Sequence, residues 1–554
     1  MKLNLAYLAL KALAFGAKAF EKATQNPAEA QETELFEYLN RNKDTEYGRK
    51  YGFSNIKSVE EYRKRIPLNS YESLRPYINR MARGEKNILT GDKPVFFSLT
   101  SGSTGEPKLL PITEYSRNKK NYVMNLWMYY IIRDHPEASS GKILAIVSPE
   151  HDGDTPSGVI CGAESGYGYK NIPSAVKNIY AIPYPVFEIP DYDARYYTIL
   201  RIAMEKDISD IATMTPSTII LLCKRIERVA NRVIKDIEKG TLDGSIDVPG
   251  DIRSELEKDF KPNPKRAAEL IKILNEKKEL LPRYFWPNLA LIECWKRGTV
   301  GLYLEEFPRY FGDVPIRDFG YFSSEARCSV PMTDEGAGGV LAVNANFYEF
   351  IPREDIQKDN PKTLLADQLE KGGEYFIILT TAGGLYRYNI DDLIKVDGFF
   401  NKTPVIEFVQ KGLNVTSVVG EKLYERQVAE SLSLAIKKSG LRPHFFAATI
   451  EKKDIPRYVF LVEFHDDPAP EKKRDFLRYL EKEIYDICEE YRFNREAQEL
   501  GFPILKVVKK GEFEKYRIKK VKKGMHDGQF KIPILTGNME FAGNFNIEEE
   551  VCFE

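Results

Sequence analysis

A segment rich in hydroxyl groups and glycines, SLTSGSTGEPK at residues 98–108, has the residue types that bind phosphate. Hydroxyls and backbone N–H groups can surround phosphate oxygens, and glycines allow close approach and positive φ. The segment lacks the G-x-x-x-x-G-K-[ST] pattern of a Walker loop. So many hydroxyls and glycines after an apolar strand favour a phosphate loop over a plain polar turn. The candidate residues are Ser98, Thr100, Ser101, Gly102, Ser103, Thr104, Gly105 and Lys108.

A second segment, DFGYFSSEARCS at residues 318–329, combines aromatic rings, hydroxyls and a carboxylate. An aromatic ring can lie against a purine, and a carboxylate beside phosphate oxygens can hold Mg²⁺. The same run is also typical of a strand end followed by a helix cap, so the segment alone leaves both interpretations open. Its central residues are Tyr321, Phe322, Ser323, Ser324 and Glu325.

A third segment, GLYRYNIDDL at residues 384–393, carries a carboxylate in a strand-like pattern. Pairing with the preceding strand would put Asp392 at a strand end, where it could accept hydrogen bonds from both ribose hydroxyls. The alternation of Tyr386, Tyr388 and Ile390 is equally typical of core packing. The segment alone favours neither interpretation.

A late lysine, Lys531 in DGQFKIP at residues 527–533, lies between apolar neighbours and near a proline. It would supply positive charge from a mobile loop. The chain has 81 basic residues, so an ordinary solvated lysine explains the pattern equally well. Its meaning depends on the segments that precede it.

The elements that must position these segments alternate between helix and strand, which predicts an α/β core. Predicted helices lie at residues 32–41, 59–65, 71–83, 113–133 and 216–239, and predicted strands at 94–99, 143–147, 374–380 and 385–396. Side chains of the helix at 113–133 are candidates for an acyl pocket and equally for core. They are Tyr122, Met124, Trp127 and Met128.

A shorter pattern of strands and helices follows residue 398, and the polar segment VQKG at residues 409–412 is predicted to join two strands. A chain of 554 residues is too long for one compact core. We therefore expect a large N-terminal α/β domain, residues 1–409, and a smaller mobile C-terminal α+β domain, residues 412–554.

Charge and the cysteine and histidine patterns argue against a nucleic-acid-binding protein, a disulfide scaffold and a metal site with regular ligand spacing. The formal net charge of −1, from 81 basic and 82 acidic side chains, gives no general attraction to nucleic acid. The six cysteines include no C-x-x-C pair, and the five histidines show no metal-ligand spacing. The scattered cysteines do not form a disulfide scaffold, so we expect reduced thiols and a cytoplasmic protein. We also expect a monomer.

The N-terminal stretch LNLAYLALKALAFGAKAF, residues 3–20, is apolar but interrupted by Lys11 and Lys18. A membrane-spanning helix needs about 20 mostly apolar residues, and a signal peptide needs an unbroken apolar centre. The pattern favours an amphipathic helix packed on the body of the protein. Contact with a membrane surface remains open but is not favoured.

The order of the four segments resembles the adenylate-forming superfamily, which includes acyl-CoA synthetases, luciferases and adenylation domains. The chain is more closely similar to the auxin-responsive Gretchen Hagen acyl acid amido synthetases. Similar stretches extend from residue 45 to residue 533. They are TEYGRKYGF (45–53), IPLNSYESLRPYINRMARGE (66–85), FWPNLALI (285–292), GYFSSE (320–325), NFYEFIP (346–352), GLYRYNIDD (384–392) and GQFKIP (528–533).

The resemblance implies ATP and Mg²⁺ as cofactors and gives each segment a role. The loop at residues 100–105 would hold the ATP phosphates, with the aromatic pair of GYFSSE by the adenine. Ser324 and Glu325 would lie near the α-phosphate and Mg²⁺, and Asp392 would bind the ribose. Lys531 would serve adenylation, and Lys422 in GEKLYE would approach the nucleotide after the small domain turns. The resemblance gives Glu349 in FYEF no stated role.

The chain departs from the family at two places. Asp391 stands where the family usually has glycine, so the backbone beside Asp392 is expected to differ. The loop reads SGSTGEPK, closer to the wider superfamily than to the plant enzymes, which weakens any transfer of plant substrates.

The resemblance implies that a carboxylic acid is activated as its acyl-adenylate and transferred to an amino acid or other amine. Two alternatives remain. An acyl-CoA ligase would use the thiol of coenzyme A as the acceptor. A nucleotide-binding sensor would have lost catalysis, although Lys531, Glu325 and Asp392 argue against that.

Overall fold

The computed structural model describes residues 2–100, 108–296, 303–358, 360–412, 415–416, 418–419, 421, 423–453, 455–522 and 532–553. The chain divides into two compact units, Met1–Phe408 and Val409–Glu554. Both combine helices with β-sheets, which confirms the α/β fold class. No helix among the described residues is long and apolar enough to cross a membrane.

The described α-helices of the first unit are α1 Lys2–Ala23, α2 Pro27–Asn42, α3 Glu46–Tyr51, α4 Val59–Arg65, α5 Tyr71–Ala82, α6 Glu114–Asp134, α7 Glu164–Lys170, α8 Ser174–Lys177, α9 Tyr192–Ala203, α10 Pro216–Lys239, α11 Gly250–Glu257, α12 Pro264–Lys277, α13 Pro282–Phe285 and α14 Phe307–Phe311. Those of the second unit are α15 Glu425–Ser439, α16 Pro470–Ile487, α17 Glu489–Glu496 and α18 Glu512–Lys522. Short 3₁₀ turns occupy Phe53–Asn55, Pro136–Ser139, Tyr184–Glu188, Arg353–Asp355, Ala366–Gln368 and Phe541–Asn544.

The described strands of the first unit are β1 Pro94–Thr100, β2 Lys108–Thr113, β3 Lys142–Ala145, β4 Gly153–Asp154, β5 Ile160–Gly162, β6 Ile208–Ala212, β7 Leu291–Glu293, β8 Ile316–Arg317, β9 Ser329–Val330, β10 Gly339–Leu341, β11 Phe347–Pro352, β12 Glu374–Thr380, β13 Tyr388–Phe400 and β14 Thr403–Lys411, whose last three residues fall in the second unit. The second unit continues with β15 Val415–Thr416, β16 Leu423–Tyr424, β17 Pro443–Glu451, β18 Arg457–Phe464, β19 Ile504–Val508 and β20 Ile547–Val551.

A parallel sheet with strand order β3-β6-β7-β8 forms one core of the first unit. Such sheets are covered on both faces, and here α9 and α10 supply buried apolar side chains. Helix α10 begins with Pro216 and ends at Gly240 with φ +67°, the usual start and stop signals. Its predicted bounds are confirmed.

A six-stranded sheet with order β11-β12-β13-β14-β10-β9 forms a second core with the N-terminal helices. Leu39 of α2 and Tyr62 of α4 pack in one cluster with Ile377 of β12. A smaller sheet, β2-β1-β5-β4, carries the candidate phosphate segment. These two sheets hold most of the candidate site.

The second unit is built on the sheet β17-β18-β19-β20, in which β18 and β19 are parallel. Helices α15 and α16 pack together, and Phe513 and Phe545 join the core of the sheet. The VQKG segment differs from its prediction. Its first three residues complete β14, which is hydrogen-bonded between β13 and β10, so they are not a joint between two strands.

Candidate functional site

Strands β1 and β2 bracket the candidate phosphate segment. Their antiparallel pairing brings Thr100 opposite Lys108 and Ser98 opposite Leu110. The residues between, including Ser101, Gly102, Ser103, Thr104 and Gly105, lie outside the described residues. The Ser98 hydroxyl is buried and has no hydrogen-bond partner among the described residues, which do not include 101–107. A buried orphan hydroxyl is uncommon and fits a strand that leads to a ligand.

Lys108 lies against α5. Its ammonium is 5.3 Å from the ring centre of Tyr71. The Tyr71 hydroxyl accepts a hydrogen bond from the backbone N–H of Leu109 at 2.7 Å. The start of β2 is therefore fixed by a phenol from the helical region.

The GYFSSE segment begins with a turn that requires glycine. Gly320 has φ +79°, and a Cβ there would lie 2.8 Å from the carbonyl oxygen of Ser329. The carbonyl of Gly320 accepts from the indole of Trp295 at 3.1 Å, and Ser329 Oγ accepts from the N–H of Tyr321 at 2.8 Å. These contacts fix the direction in which the next residues leave the turn.

Tyr321 connects this segment to the acidic segment of β13. Its hydroxyl donates to Asp392 Oδ2 at 2.8 Å, and both side chains are buried. Burial raises the pKa of the Tyr321 phenol well above its usual value, and the Asp392 carboxylate raises it further. The phenol therefore remains a proton donor, and it orients the carboxylate.

Asp392 does not lie at a strand end, where the sequence predicts it. It lies inside β13, beside an irregularity in which Phe376 pairs with Leu393 and Ile378 with Asn389. Between these pairs, three residues of β13 (Ile390, Asp391 and Asp392) therefore oppose the single residue Ile377 of β12, and such a bulge redirects a side chain within a sheet.

Asp391 takes the left-handed conformation that glycine adopts readily, with φ +64°. Its N–H donates to Asn389 Oδ1 at 2.8 Å, which stabilises the turn. Aspartate is among the few non-glycine residues that tolerate this region. Asp391, where the resemblance leads us to expect glycine, therefore takes a conformation that glycine would also adopt.

Glu325 lies near the phenol of Tyr388, the first residue of β13. The Tyr388 hydroxyl donates to Glu325 Oε1 at 3.4 Å. Among the described residues, no other side chain hydrogen-bonds or ion-pairs with the Glu325 carboxylate. Burial raises the pKa of Tyr388, and the negative charge of Glu325 raises it further. The carboxylate thus keeps coordination capacity for a cation.

Lys120 of α6 contacts the same segment and was missed by the sequence analysis. Its ammonium donates to the carbonyl of Ser324 at 2.6 Å and to both carboxylate oxygens of Glu164 at 2.8 and 2.9 Å. Nothing in the sequence distinguishes it from its solvated neighbours. A small cleft here is lined by Leu110, Pro111, Ile112, Ser116, Lys120, Ser324, Glu325, Thr381, Gly383 and Leu385.

Phe322 and Ser323 complete the segment. The Phe322 ring lies 5.1 Å from that of Trp295, and the Arg327 guanidinium lies 4.5 Å from its centre. Ser323 Oγ accepts from the N–H of Glu325 at 3.2 Å, as a capping side chain does. The serine caps a turn that no helix follows in the described residues before β9, so the prediction of a helix cap is wrong, and the role of the aromatic pair at a purine stays a prediction.

Glu349 has a clear structural contact. Its carboxylate accepts from Arg387 Nε at 2.8 Å and Nη2 at 2.9 Å, and from the Thr363 hydroxyl at 2.6 Å. Arg387 also donates to the carbonyls of Arg63 and Ile66, both at 2.7 Å. The buried pair ties β11 and the N-terminal helices to the residue just before β13. The only sign of Glu349 in the sequence is the similarity of FYEF to the family. That similarity does not identify Arg387 as the residue that binds it.

Of the four side chains proposed for an acyl pocket, one is buried and three are partly buried. Trp127 is buried, donates to the carbonyl of Asp318 at 2.9 Å and stacks on Phe319. Tyr122, Met124 and Met128 pack against the cluster that contains it. All four belong to a hydrophobic cluster, and their part in an acyl pocket stays a prediction.

The second unit carries the segments beside the two candidate lysines. Lys422 and Lys531 lie outside the described residues. Glu421 is fully buried and accepts from the Tyr458 hydroxyl at 2.6 Å and from the N–H of Val418 at 2.9 Å. Glu425 accepts from the N–H of Ile534 at 2.9 Å. Glu425, at the start of α15, and Ile534 are therefore in contact.

Models of one protein family match most of the chain. The GH3 family N-terminal domain matches residues 16–316, the central domain residues 339–411 and the C-terminal domain residues 426–540. The first match alone covers more than half of the chain. The chain belongs to the GH3 family.

Curated GH3 relatives include two enzymes from plants. Indole-3-acetic acid-amido synthetase GH3.3 of Arabidopsis thaliana is 25% identical, over 95% of this chain and 91% of that protein. Jasmonoyl–L-amino acid synthetase JAR4 of Nicotiana attenuata is 26% identical, over 94% of this chain and 92% of that protein. A solved structure of AtGH3.15 acyl acid amido synthetase in complex with 2,4-DB has a TM-score of 0.86 at 23% identity. The structural match covers 98% of this chain and 97% of the AtGH3.15 chain, and it shows that the two share a fold.

The residues of this GH3 chain fit both a nucleotide and its metal. No group of three or more metal-ligating side chains is present in the described part of the chain. Mg²⁺ usually takes only one or two carboxylates from the protein and the rest from phosphates and water, so Glu325 alone is a suitable donor. The orphan hydroxyl of Ser98 and the oriented carboxylate of Asp392 fit a polar, phosphate-bearing ligand.

Proposed function

We propose that this chain joins a carboxylic acid to the amino group of an amino acid, through an acyl-adenylate formed from ATP. Membership of the GH3 family over most of the chain supports this activity, as do curated relatives named as amido synthetases. The structural observation that carries it is the hydrogen bond of 2.8 Å from Tyr321 to Asp392. It joins the two segments that the resemblance assigns to adenine and ribose.

In the first half-reaction, a carboxylate oxygen of the acid attacks the α-phosphorus of ATP. A new P–O bond forms and pyrophosphate leaves. Asp392 binds the ribose hydroxyls, and the segment from Ser98 to Lys108 binds the phosphates. Glu325 holds Mg²⁺, which when bound neutralises charge on the phosphate oxygens. Lys531 donates to charge that develops in the transition state.

In the second half-reaction, a neutral amine attacks the carbonyl carbon of the acyl-adenylate. A C–N bond forms, the C–O bond to the phosphate breaks, and AMP leaves. The amine nitrogen loses a proton in the process. We assign Lys422 to this step from the resemblance and leave the base that takes the proton unassigned. A cytoplasmic location and a monomeric state stay predictions.

The test is ATP–pyrophosphate exchange across a panel of carboxylic acids, followed by identification of the product. With an acid that supports exchange, coenzyme A and a mixture of amino acids are offered in parallel, and products are identified by mass spectrometry. An amide is expected. A thioester with coenzyme A and no amide from any amine would contradict the proposal and support the ligase alternative.

Lys531→Ala tests the role of the late lysine. We expect acid-dependent exchange to fall by about 10²–10³, because one preorganised donor to developing charge is lost. Nucleotide affinity is expected to change little. Lys519→Ala, an exposed lysine of α18, is the matched control. Exchange at the normal rate in the Lys531 variant would assign this role to another basic residue.

A further inference from the structure

Helix α1 has an inner face that is fixed to the body of the protein. Ala17 and Phe20 are buried in a cluster with residues of α6. The Tyr130 hydroxyl of α6 donates to Glu21 Oε1 at 3.1 Å, and Asn401 donates to Thr24 Oγ1 at 2.7 Å. The helix therefore presents its opposite face to solvent in a fixed orientation.

That opposite face carries large apolar side chains. Tyr7, Leu8 and Phe15 are 56%, 62% and 84% exposed, and Phe15 is the most exposed large apolar residue in the described part of the chain. Leu8 and Phe15 lie seven positions apart, and residues at this spacing share one helix face. Three such residues on one helix form a patch, whereas single exposed apolar residues are ordinary.

Lysines are interleaved with these apolar residues. Lys11, Lys18 and Lys22 are exposed and continue the row that Leu8 and Phe15 begin. The ammonium of Lys11 lies 4.5 Å from the ring centre of Tyr7. Glu21, the one acidic residue in the sequence of α1, contacts Tyr130 on the inner side. The outer face is thus apolar and positively charged, in a chain whose formal net charge is −1.

We propose that the outer face of α1 binds an anionic membrane surface, with the helix lying in the plane of the interface. Apolar side chains beside lysines, with no acidic side chain, are the features of interfacial helices that bind anionic lipids. Tyrosine favours the headgroup level of a bilayer. Helix α1 does not qualify as a membrane-spanning helix, which agrees with binding on the surface.

A second copy of the chain is a less suitable occupant. In a symmetric dimer the same patch meets itself, so two positively charged faces without acidic side chains would be brought together. The match to the family's N-terminal domain begins at residue 16. Four residues of the face, Tyr7, Leu8, Lys11 and Phe15, therefore lie before the segment that the family model matches. The proposal is independent of the amide-forming activity.

The experiment is sedimentation of the full chain with phosphatidylcholine vesicles, with and without about 30% phosphatidylserine. We expect binding to the anionic vesicles only, and weaker binding at high salt because the charges are exposed. Lys11→Glu with Lys18→Glu should lower the partition coefficient at least about tenfold, since each lysine near an anionic surface contributes on the order of fivefold. Leu8→Ser with Phe15→Ser should lower it as strongly.

Ile271→Ser is the matched control, because Ile271 is 44% exposed on another helix, α12. It should bind as the wild type does. Thermal midpoints and ATP–pyrophosphate exchange should be the same in all variants, since the altered side chains are exposed. The proposal is overturned if the wild type stays in the supernatant with anionic vesicles, or if the Leu8 and Phe15 variant binds normally. Concentration-dependent dimerisation that is lost with Phe15→Ser, without vesicle binding, would assign the face to a second copy.

Discussion

At the scale of single residues, the Asp392 carboxylate has two connected tasks. It accepts a hydrogen bond from a buried phenol, and we assign it to the ribose hydroxyls. Because Tyr321 is buried and un-ionised, the carboxylate is held in one orientation before any ligand arrives. Preorganised acceptors lose less entropy on binding.

We predict that Asp392→Ala weakens ATP binding by at least about tenfold, since each charged hydrogen bond contributes about 1.5–3 kcal/mol. The Tyr321 hydroxyl also loses its acceptor, so the thermal midpoint should fall modestly. Calorimetric titration with ATP and thermal unfolding measure the two effects. Asp391→Gly is the control, because it changes the neighbouring acid without straining the backbone. Unchanged nucleotide affinity in Asp392→Ala would remove this residue from the site.

At the scale of elements, the pair of Glu349 and Arg387 holds β11, the N-terminal helices and the start of β13 together. Arg387 has φ +44°, an uncommon conformation for a non-glycine residue. Its guanidinium donates to Glu349 and to two backbone carbonyls, which holds that conformation. The pair therefore sets where β13 begins, and with it the position of Asp392.

We predict that Glu349→Ala lowers the free energy of unfolding by about 3–5 kcal/mol, because a buried guanidinium loses its partner. Glu354→Ala, at an exposed position just after the same strand, should have little effect. Denaturant unfolding monitored by circular dichroism measures both. Equal stability of the two variants would show that the pair does not hold these elements together.

Two adjacent parallel strands place acidic side chains together inside the first unit. Asp210 of β6 and Glu293 of β7 are both buried, and the two strands are neighbours in the parallel sheet. Burial raises the pKa of both carboxyls, and in Glu293 the neighbouring Asp210 raises it further, while Arg317 opposes this. The folded state therefore binds a proton more tightly than the unfolded state does.

A carboxyl whose pKa is raised by folding stabilises the native state most at low pH, and this contribution is lost as the pH rises. We predict that the stability contribution of the pair falls from about pH 4, the unfolded value, through neutrality. Asp210→Asn should flatten this fall, so the variant gains on the wild type as the pH rises. Asp207→Asn, at an exposed position, should leave the curve unchanged. Parallel curves for wild type and Asp210→Asn would contradict the assignment.

At the scale of the whole molecule, the proposed reaction needs a neutral amine. A free α-amino group has a pKa of about 7.7–8.0. We predict that amide formation rises with pH through this range, measured as AMP release that depends on the amino acid. Pyrophosphate exchange, which involves no amine, is the internal control and should not show this rise. A flat profile for amide formation would indicate that the site itself deprotonates the ammonium.

Much of the architecture could be predicted because its signals are local. Apolar periodicity with proline at the start and glycine at the end defines α10, and a serine cap precedes α4. The position of Asp392 within β13 could not be predicted, because the bulge depends on pairing with β12. The partners of Glu349 and Lys120 were also hidden, since Arg387 and Glu164 lie 38 and 44 residues away. Such contacts depend on tertiary packing, which no local pattern encodes.

The left-handed backbone at Asp391 determines which residue types this position can hold. Glycine and aspartate differ in charge and size, so an exchange between them in an acidic motif suggests a change of chemistry. Here the conformation at this position, φ +64° with the N–H held by Asn389, suits either residue. Asparagine would also be accepted, whereas a β-branched residue would not. An aspartate and a glycine at position 391 are therefore compatible with the same backbone shape, and this exchange alone gives no reason to infer a different substrate.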